Sequence, residues 1–556
     1  MFSASSFQIT GTPSRIIKIG CVPQYPLPTL RFGYSCSTEA RRKHKARNCS
    51  TSAARAAPTS TKPSKAARTA LFTRQENEQD TEVEVEVDGA IPKWLDGVYL
   101  RNGPGELEGM KHLFDGYAIL HKLRVSEGRA FAMHKFLDTE AYRYRRETGK
   151  MRWREFGTPI THDGIGSILR EYSDYALGMF GVPNSFTDNA SVNVVPHPEG
   201  RKGSALAITE TINGMYEVDV ATLRTVKKAR YSDGVPGTLL TAHPHVTVDG
   251  DIVNVSNEVG RGYHVFRQRR GSMAREEVAF VPHIDGLAPA WIHDFALAAN
   301  YAVIVESPLY INLGAMMLGK DTEHLFMDWR PERPTRVHVV SLKTGHVTTK
   351  LAPPFWTFHF QNAFESDDGS ELYVDMAKFE TPNVLNQLLL EPLLSEDGEE
   401  IDESHPERMT ISLDPASPDQ IQPEAIKKLI ANPGEYGNYY EFPTISPLKH
   451  CVEYRYAYGI AAARPTNVAN AIAKHDIVEG KSLSWFEEGA VPGEPRFIPR
   501  PGATDEDDGV VLSLCTGADG KAFYIFLDGK TFQEVGRAKL PYGATYGFHG
   551  SFLSSA

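Results

Sequence analysis

The amino-acid sequence predicts an all-β protein, and three observations lead to this fold class. Short segments in which apolar and polar residues alternate recur along most of the chain. Turn residues separate these segments, because the 556 residues include 46 glycines and 36 prolines. Helical patterns are few. The strands are too many for one ordinary sandwich, and a β-propeller accommodates them because its blades leave only short, protected edges.

The strands and the helical segments can be placed on the sequence. The clearest strand patterns are VTVDGDIVNVS (246–256), YAVIVESPLYI (301–311), RVHVVSL (336–342), ELYVDMA (371–377), GVVLSLC (509–515) and AFYIFLDG (522–529). The helical patterns are SILREYSDYALGMFG (167–181), VLNQLLLEPLL (384–394) and PEAIKKLIANP (423–433). No WD or kelch repeat marks individual blades, so the propeller is inferred from the strands alone. We expect the helices to be insertions into this β-fold.

The first part of the chain differs in composition from the rest. Between residues 1 and 70 Arg and Lys recur among many Ser, Thr and Ala residues, whereas Glu39 is the only acidic residue. This composition is typical of an organelle transit peptide, with a basic disordered tail as the alternative. We therefore expect a transit peptide and disordered linker at residues 1–75 and one folded domain at residues 76–556.

The remaining composition argues against two classes of function. The net charge is −11 and no basic stripe follows the first segment, so nucleic acid is not expected as a partner. No run of 18 apolar residues is present, so no helix is expected to span a membrane. Beyond the first segment only Cys451 and Cys515 remain, which do not make a disulfide framework. A globular protein of enzyme size is the default expectation.

Four of the 19 histidines lie between apolar or aromatic residues. They are His243 in TAHPHV, His293 in WIHDF, His359 in TFHFQNAFE and His549 in YGFHG. One histidine in such a frame is more often a hydrogen-bonded core residue, but four can converge where the inner strands of a propeller meet. Four neutral nitrogens would leave Fe(II) two open coordination positions, which suits O2, whereas closed zinc sites recruit thiolates.

Ligating imidazoles also need acceptors for their second N–H group, and these acceptors are usually carboxylates. Three glutamates lie in similarly apolar frames: Glu210 in LAITETINGMY, Glu441 in YYEFPTISP and Glu494 in PGEPRFIPRPG. They are the candidate partners of the four histidines.

Eight motifs carry a resemblance to a known family. They are WLDGVYLRNGPG (94–105), HLFDGYA (112–118), SFTDNASVN (185–193), AHP (242–244), FHFQNAFE (358–365), EFP (441–443), RPGATDEDDGVV (500–511) and PYGATYGFHG (541–550). In this order they resemble the carotenoid cleavage dioxygenases, over nearly all of the chain after residue 80. HLFDGYA, RPGATDEDDGVV and PYG..YGFHG look most like the plastid branch of the family that makes carlactone, the strigolactone precursor.

The resemblance implies a fold and a set of site residues. The fold would be a seven-bladed β-propeller in which a few helical insertions form a cap over the active-site tunnel. One Fe(II) per chain would be bound by His243, His293, His359 and His549. Glu210, Glu441 and Glu494 would accept hydrogen bonds from His293, His359 and His549, which leaves His243 without a carboxylate.

Two further residues compete for these roles. His245 follows His243 by two positions, and in a strand alternate side chains share a face, so it could replace His243 as a ligand. Glu365 follows the FHFQNAF motif and could be mistaken for a ligand partner, but the family pattern places that role at Glu441.

The implied reaction is oxidative cleavage of a polyene double bond, in which both atoms of O2 end in carbonyl fragments. The substrate would be an apocarotenoid, 9-cis-β-apo-10′-carotenal, converted to carlactone in the plastid. Cleavage of an intact carotenoid or of an all-trans apocarotenal is an alternative, as is the oxygen-free isomerohydrolase reaction of the retinoid relatives. A metal-free propeller used as a binding platform would instead make the histidines structural.

An apolar substrate of this kind leaves a membrane before it reaches the enzyme, so we expect a peripheral membrane contact. YINLGAMMLG (310–319) and NVLNQLLLEPLL (383–394) are candidates for an apolar patch at the tunnel mouth, with a buried core helix as the alternative for each.

Overall fold

β-Strands make up most of the structure, as the sequence predicts. The computed structural model describes residues 60–179, 185–284, 288–431, 433, 434 and 436–555. The α-helices of these residues are α1 (Lys65–Phe72), α2 (Glu140–Thr148), α3 (Ile165–Met179), α4 (Leu313–Met317), α5 (Val384–Gln387) and α6 (Leu390–Leu394). Single 3-10 turns occur at Leu113–Asp115, Pro423–Ala425 and Pro447–Lys449. The all-β fold class is therefore confirmed.

Five separate antiparallel sheets contain four or five strands each. Their strands follow one another in the order of the chain, as in the blades of a propeller. In chain order the five sheets consist of Asn193–Pro196, Ser204–Ile208, Met215–Asp219 and Thr225–Lys228; Leu239–Leu240, His245–Val246, Ile252–Glu258, Gly262–Gln268 and Arg275–Pro282; Ala296–Leu297, Tyr301–Glu306, Thr335–Ser341 and Val347–Ala352; Trp356–Glu365, Glu371–Phe379, His405–Ser412 and Ile426–Lys428; and Glu441–Ile445, Tyr456–Ala461, Ala471–Asp476 and Lys481–Phe486. A two-stranded ribbon is formed by Leu309–Ile311 and Met327–Trp329.

A sixth, ten-stranded sheet joins the early and the late strands of the chain. Its strands are Gln79–Gly89, Gly97–Glu106, Tyr117–Ser126, Arg129–Phe136, Val491–Pro492, Arg496–Pro499, Gly509–Thr516, Ala522–Asp528, Glu534–Lys539 and Gly550–Ser554. The strand Gln79–Gly89 bridges two groups, because residues 79–85 pair with Arg129–Phe136 and residues 86–89 pair with Glu534–Lys539. The last strand of the chain pairs with Gly97–Glu106, which fixes the C-terminal segment in the fold.

The first strands of neighbouring sheets contact one another. Trp356–Glu365 contacts both Ala296–Leu297 and Glu441–Ile445, and similar contacts connect the ten-stranded sheet with Asn193–Pro196. Between sheets the alternating apolar residues form the core, as where Val303 and Val337 pack in one cluster with Val374 and Met409. This arrangement is propeller-like, with first strands facing a common centre.

Two sequence-based predictions of secondary structure are wrong. The segment 423–433 is not a helix, because a 3-10 turn at Pro423–Ala425 leads into the edge strand Ile426–Lys428, where Ile426 pairs with Met409. Pairing with an existing sheet overrides the local helical pattern. At the other end, α1 lies within the segment predicted to be a disordered linker. The folded domain therefore begins earlier than residue 76.

The helices of the described residues are too short or too polar to cross a bilayer. α1 is amphipathic and buries Ala67, Leu71 and Phe72. Ser64 caps its first turn, since the Ser64 hydroxyl accepts a hydrogen bond from the Ala67 backbone at 3.0 Å. α1 is thus an integral part of the domain.

Candidate metal centre

Three of the four candidate histidines lie on or beside the first strand of a sheet, and His549 lies beside an edge strand of the ten-stranded sheet. His243 lies between the strands Leu239–Leu240 and His245–Val246, and His293 precedes the strand Ala296–Leu297. His359 lies within the strand Trp356–Glu365, and His549 immediately precedes the strand Gly550–Ser554. Because first strands face the centre of the fold, residues far apart in sequence meet there.

Local irregularities in the strands orient two of the site residues. The strand that carries His359 has a register shift between Thr357 and Phe360, and β-bulges of this kind re-aim a side chain. A second shift follows Glu441, where Phe442 has a φ of 49°. The left-handed backbone lets the Phe442 N–H donate to Glu441 Oε2 at 2.9 Å. This bond fixes the carboxylate from its own chain.

The imidazoles of the four histidines converge through their Nε2 atoms. The distances between these atoms are 3.3 Å for His243 and His293, 3.2 Å for His293 and His359, and 3.3 Å for His359 and His549. One ligand nitrogen from each residue lies within 4.8 Å of the other three. The structure therefore brings together all four histidines that the sequence singles out.

Three of the four imidazoles contact a carboxylate through Nδ1. The contacts are from His293 to Glu210 Oε1, from His359 to Glu441 Oε2 at 2.5 Å, and from His549 to Glu494 Oε1 at 2.9 Å. The second oxygen of Glu210 accepts a hydrogen bond from Trp291 Nε1 at 3.1 Å. These pairs are the ones that the family resemblance implies, and His243 has no carboxylate hydrogen bond among the described residues.

The donor set fits a divalent metal ion. An imidazole that donates its Nδ1–H to a carboxylate keeps a bare lone pair on Nε2. Several such lone pairs, buried and about 3 Å apart, repel one another unless a cation lies between them. The four donors are all nitrogen, which suits iron and similar transition metals, while thiolate ligands are absent from the cluster. The arrangement of His243, His293, His359 and His549 therefore fits a metal ion.

Burial shifts the proton affinity of these imidazoles. It lowers the pKa of His243 and of His549 well below the usual range, so both rings are neutral at pH 7, as metal ligands must be. At His359 burial also lowers the pKa, but Glu441 outweighs it and the net pKa is raised. A metal ion at Nε2 of His359 therefore competes with a proton.

The two competing residues of the sequence lie outside the cluster. His245 points away from it, with Nδ1 at 3.3 Å from His450 Nε2 and Nε2 at 3.3 Å from Asp294 Oδ1. Glu365 accepts hydrogen bonds from the backbone and side-chain nitrogens of Asn300 at 2.9 and 3.0 Å. His245 is displaced because the short strand His245–Val246 begins only after His243, so the two side chains do not share a strand face.

Sequence reasoning missed one residue that supports the centre, Arg101. Its guanidinium is fully buried, lies 3.6 Å from Glu494 Oε2 and donates to the backbone oxygens of Glu494 and Gly547. A Cβ atom at position 547 would collide with Arg101, which explains the glycine. Arg101 thereby holds both Glu494 and the segment that leads to His549. The signal was an arginine within the apolar strand motif VYLRNGPG, since a charge at a core position requires a buried partner.

An apolar cavity adjoins the centre. His293, His359 and His549 form part of its wall. Aromatic rings supply much of the remainder, including Phe114 and Phe358. An apolar wall with few polar groups is typical of pockets that bind apolar molecules. The arrangement can thus hold an extended apolar molecule against a metal ion.

Comparisons with known proteins agree with this geometry. The family model described as retinal pigment epithelial membrane protein matches residues 72–554. The chain is 37% identical over 476 residues to carotenoid cleavage dioxygenase 8 homolog B, chloroplastic, of Oryza sativa subsp. japonica, covering 84% of this chain and 81% of the relative. It is 36% identical over 498 residues to carotenoid cleavage dioxygenase 8, chloroplastic, of Arabidopsis thaliana, covering 86% and 84%.

The fold is also similar to a solved structure. The apocarotenoid oxygenase of Synechocystis, as a Glu150Gln mutant, superposes with a TM-score of 0.71 at 24% identity, covering 89% of this chain and all of the other. At that identity the likeness supports the propeller-like fold alone. The family model and the relatives go further, since the model spans residues 72–554, which include every residue of the centre, and the relatives cover most of the chain. The chain therefore belongs to the carotenoid cleavage dioxygenase family of enzymes.

Proposed function

We propose that the chain is an iron(II)-dependent dioxygenase that cleaves a polyene double bond of an apocarotenoid, converting 9-cis-β-apo-10′-carotenal to carlactone. The observation that carries this proposal is the four-histidine centre, with three carboxylate partners, at the wall of an apolar cavity. Relatives named carotenoid cleavage dioxygenase 8 support the choice of branch. The cofactor is one Fe(II) per chain, and the co-substrate is O2.

The residues of the chain have separate roles in this reaction. Bound iron(II) would supply the activation of O2 for addition across a carbon–carbon double bond. Glu210, Glu441 and Glu494 keep the Nδ1 protons of their histidines and so orient the imidazoles. Phenylalanine rings of the cavity wall hold the polyene and exclude water, which protects reactive intermediates from hydrolysis.

We also propose the finer details of the fold that the family resemblance implies. If the strand Gln79–Gly89 is shared between two blades, the ten-stranded sheet and the five separate sheets together make seven blades. α5 and α6 supply Val384, Gln387 and Leu393 to the cavity wall, which supports a helical cap over the tunnel.

The proposed location is the plastid. Relatives with 37% and 36% identity are named chloroplastic, and the basic, acid-poor composition agrees with a transit peptide. Residues 1–59 lie outside the described residues. Because α1 belongs to the fold, we place the end of the transit peptide and linker before residue 60 rather than at residue 75.

We place the peripheral membrane contact at α3 and at the end of α4, and we name these residues the apolar patch. Its exposed members are Ile165, Leu169 and Leu318, with 76%, 64% and 60% of their surface accessible. By contrast, we place the segment 383–394 in the core, since Leu385, Leu390 and Leu393 are buried. Exposed leucines and isoleucines on a short helix are suited to the headgroup region of a bilayer.

The segment 152–156, which lies beside the cavity, contacts both α3 and α4. Arg152 contacts Asp174 of α3 at 3.0 Å, and Arg154 donates to the Met316 backbone oxygen of α4. Phe156, two residues further on, lines the cavity. A membrane bound at the patch would therefore lie close to the route of an apolar substrate.

Charge at the apolar patch is expected to weaken membrane binding. Leu169→Glu and Leu318→Glu should each lower liposome affinity roughly tenfold, because each removes the burial of one leucine. Turnover of substrate dissolved in detergent should stay unchanged. Co-sedimentation with liposomes measures the effect. Val478→Glu is the matched control, since Val478 is 70% exposed in the turn between the strands Ala471–Asp476 and Lys481–Phe486. Equal liposome affinity in all variants would disprove the patch.

The substrate is expected to be the 9-cis apocarotenal. The purified enzyme should convert 9-cis-β-apo-10′-carotenal to carlactone and leave its all-trans isomer and intact β-carotene largely unreacted. Mass spectrometry of the products measures this preference. Reaction under 18O2 should place label in the product. Efficient cleavage of β-carotene alone would show that the enzyme is a general carotenoid-cleaving dioxygenase. An isomerised product without label would favour the isomerohydrolase reaction.

A further inference from the structure

Two tyrosines are exceptions to the apolar character of the cavity wall. Tyr439 and Tyr546 both line the cavity and are 5% and 8% exposed. Neither phenolic hydroxyl has a hydrogen-bond partner among the described residues. A hydroxyl without a protein partner beside a cavity is available to a polar atom of a bound molecule.

The amide side chains of the wall differ from these tyrosines, because the protein already occupies them. Gln387 donates to Glu400 and Asp402 and accepts from the Asp402 backbone. Asn467 donates to the backbone oxygens of Pro392 and Ser395 and accepts from Arg68. Neither amide is therefore available as a donor to a bound molecule.

Tyr546 lies near the metal centre, and Tyr439, two residues before Glu441, lines the same cavity. Burial raises the pKa of Tyr439 well above its usual range, and the proximity of Glu441 and Tyr546 raises it further. Burial raises the pKa of Tyr546 to about 12. Both hydroxyls therefore keep their protons at neutral pH and can act as donors but not as bases.

Phe442 separates this region from the metal ligands. Its ring centroid lies 6.4 Å from that of Tyr546, 5.0 Å from that of His549 and 5.3 Å from that of His359. A group held by the phenols is thus one aromatic ring away from the histidines. A molecule anchored at that point can extend its chain across the metal centre.

We propose that Tyr439 and Tyr546 form a polar subsite that donates hydrogen bonds to the carbonyl oxygen of an aldehyde-terminated polyene. This inference rests on the proposed function and adds how the end of the substrate is recognised. A carbonyl oxygen has two lone pairs and no proton, so two donors and no acceptor are the matching set. The subsite would fix which double bond of the chain lies at the metal, and it would favour an apocarotenal over a hydrocarbon of equal length.

The test compares an aldehyde with an analogue that lacks its oxygen. The ligands are 9-cis-β-apo-10′-carotenal and the same polyene with a methyl group in place of the aldehyde. Their dissociation constants are measured on metal-free protein by quenching of tryptophan fluorescence. Tyr439→Phe and Tyr546→Phe should each weaken aldehyde binding about fivefold, the effect of one neutral hydrogen bond, and should leave binding of the methyl analogue unchanged.

Tyr458→Phe is the matched control. Tyr458 is buried and its hydroxyl also lacks a partner, but it packs on Phe497 away from the cavity, so neither ligand should be affected. With the iron-loaded enzyme, the two cavity variants should raise KM for the aldehyde more than they lower kcat.

The possible outcomes separate this inference from the proposed function. Unchanged aldehyde binding, or an equal loss of affinity for both ligands, would overturn the subsite; an equal loss would mean that the phenols support Glu441 instead. Carlactone formation by the same variants would leave the proposed function standing. A wild-type enzyme that consumes no apocarotenal would overturn the proposed function, and the difference between the two ligands would still decide the subsite.

Discussion

Replacing His549 with alanine is expected to abolish polyene cleavage and to remove bound iron. The substitution deletes one of four nitrogens at the centre and leaves Glu494 buried without its imidazole partner. His293→Ala and His359→Ala should have the same effect, because each also removes a nitrogen and strands a carboxylate. Iron per chain, measured by elemental analysis, should fall from about one to near zero, together with activity.

Changes at the carboxylates should be milder. Glu441→Gln and Glu494→Gln keep the histidines but weaken their orientation, and such changes typically cost roughly 10–100-fold in activity or metal affinity. Removing residues 549–556 should be as damaging as His549→Ala, since the last strand pairs with Gly97–Glu106.

His245→Ala is the control for the ligand variants. His245 is a histidine of the same motif, but its ring contacts His450 and Asp294 instead of the cluster, so this variant should retain iron and activity. Full activity in His549→Ala, or loss of iron in His245→Ala but not in the other variants, would contradict the assignment.

The four histidines of the centre could be predicted because the residues that mark each of them are its neighbours in sequence. Each histidine lies in a short motif of apolar and aromatic residues, within or close to a strand that faces the centre of the fold. The family pattern assigns His243 as a ligand, but alternation in a strand left His245 as a competitor. The structure separates them, because the strand begins after His243 and His245 turns to Asp294.

Long-range partners were harder to predict. Arg101 and Glu494 are separated by 393 residues, and nothing local in VYLRNGPG indicates which carboxylate lies beside the arginine. The same applies to Tyr439 and Tyr546, whose free hydroxyls are visible only once the cavity is formed. At Ile426–Lys428, the pairing of an edge strand with a distant strand decided a conformation that the local pattern assigned to a helix.

The prediction of a disordered linker up to residue 75 missed α1 for a different reason. Composition over residues 1–70 averages a basic segment with α1, whose own Lys65 and Arg68 match the transit-peptide pattern. The signal that could have marked the helix was Ser64 as its cap, followed by apolar residues at Ala67 and Leu71, one helical turn apart.

Removal of α1 is expected to inactivate the enzyme, whereas removal of the residues before it is not. A chain that begins at residue 60 should fold and cleave substrate like the full chain. A chain that begins at residue 76 should lose most of its soluble yield and activity. Burial of Leu71 and Phe72 contributes about 1.5–3 kcal/mol each, a large fraction of a total stability of about 5–15 kcal/mol. Thermal unfolding and turnover of the two chains measure the difference.

The reason for this sensitivity is that α1 touches both the cavity and the C-terminal segment. Leu71 accepts a hydrogen bond from the Tyr546 backbone at 3.0 Å, and the Phe72 ring stacks on the Tyr546 ring with centroids 6.0 Å apart. Phe72 also forms part of the cavity wall. Loss of the helix would thus open the cavity and free the segment that carries His549.

A pair of point variants tests the same role without deletion. Arg68 is buried and donates to the Leu393 backbone oxygen and to Asn467, both at 2.7 Å, so Arg68→Met leaves two buried acceptors unpaired. We expect a loss of about 3–6 kcal/mol in the free energy of unfolding, since hydrogen bonds to charged groups are worth about 1.5–3 kcal/mol each. Lys65→Met on the exposed side of α1 also replaces a basic side chain with methionine and should leave stability unchanged. If the chain that begins at residue 76 unfolds at the same temperature as the full chain, α1 is dispensable and the domain begins where the composition suggests.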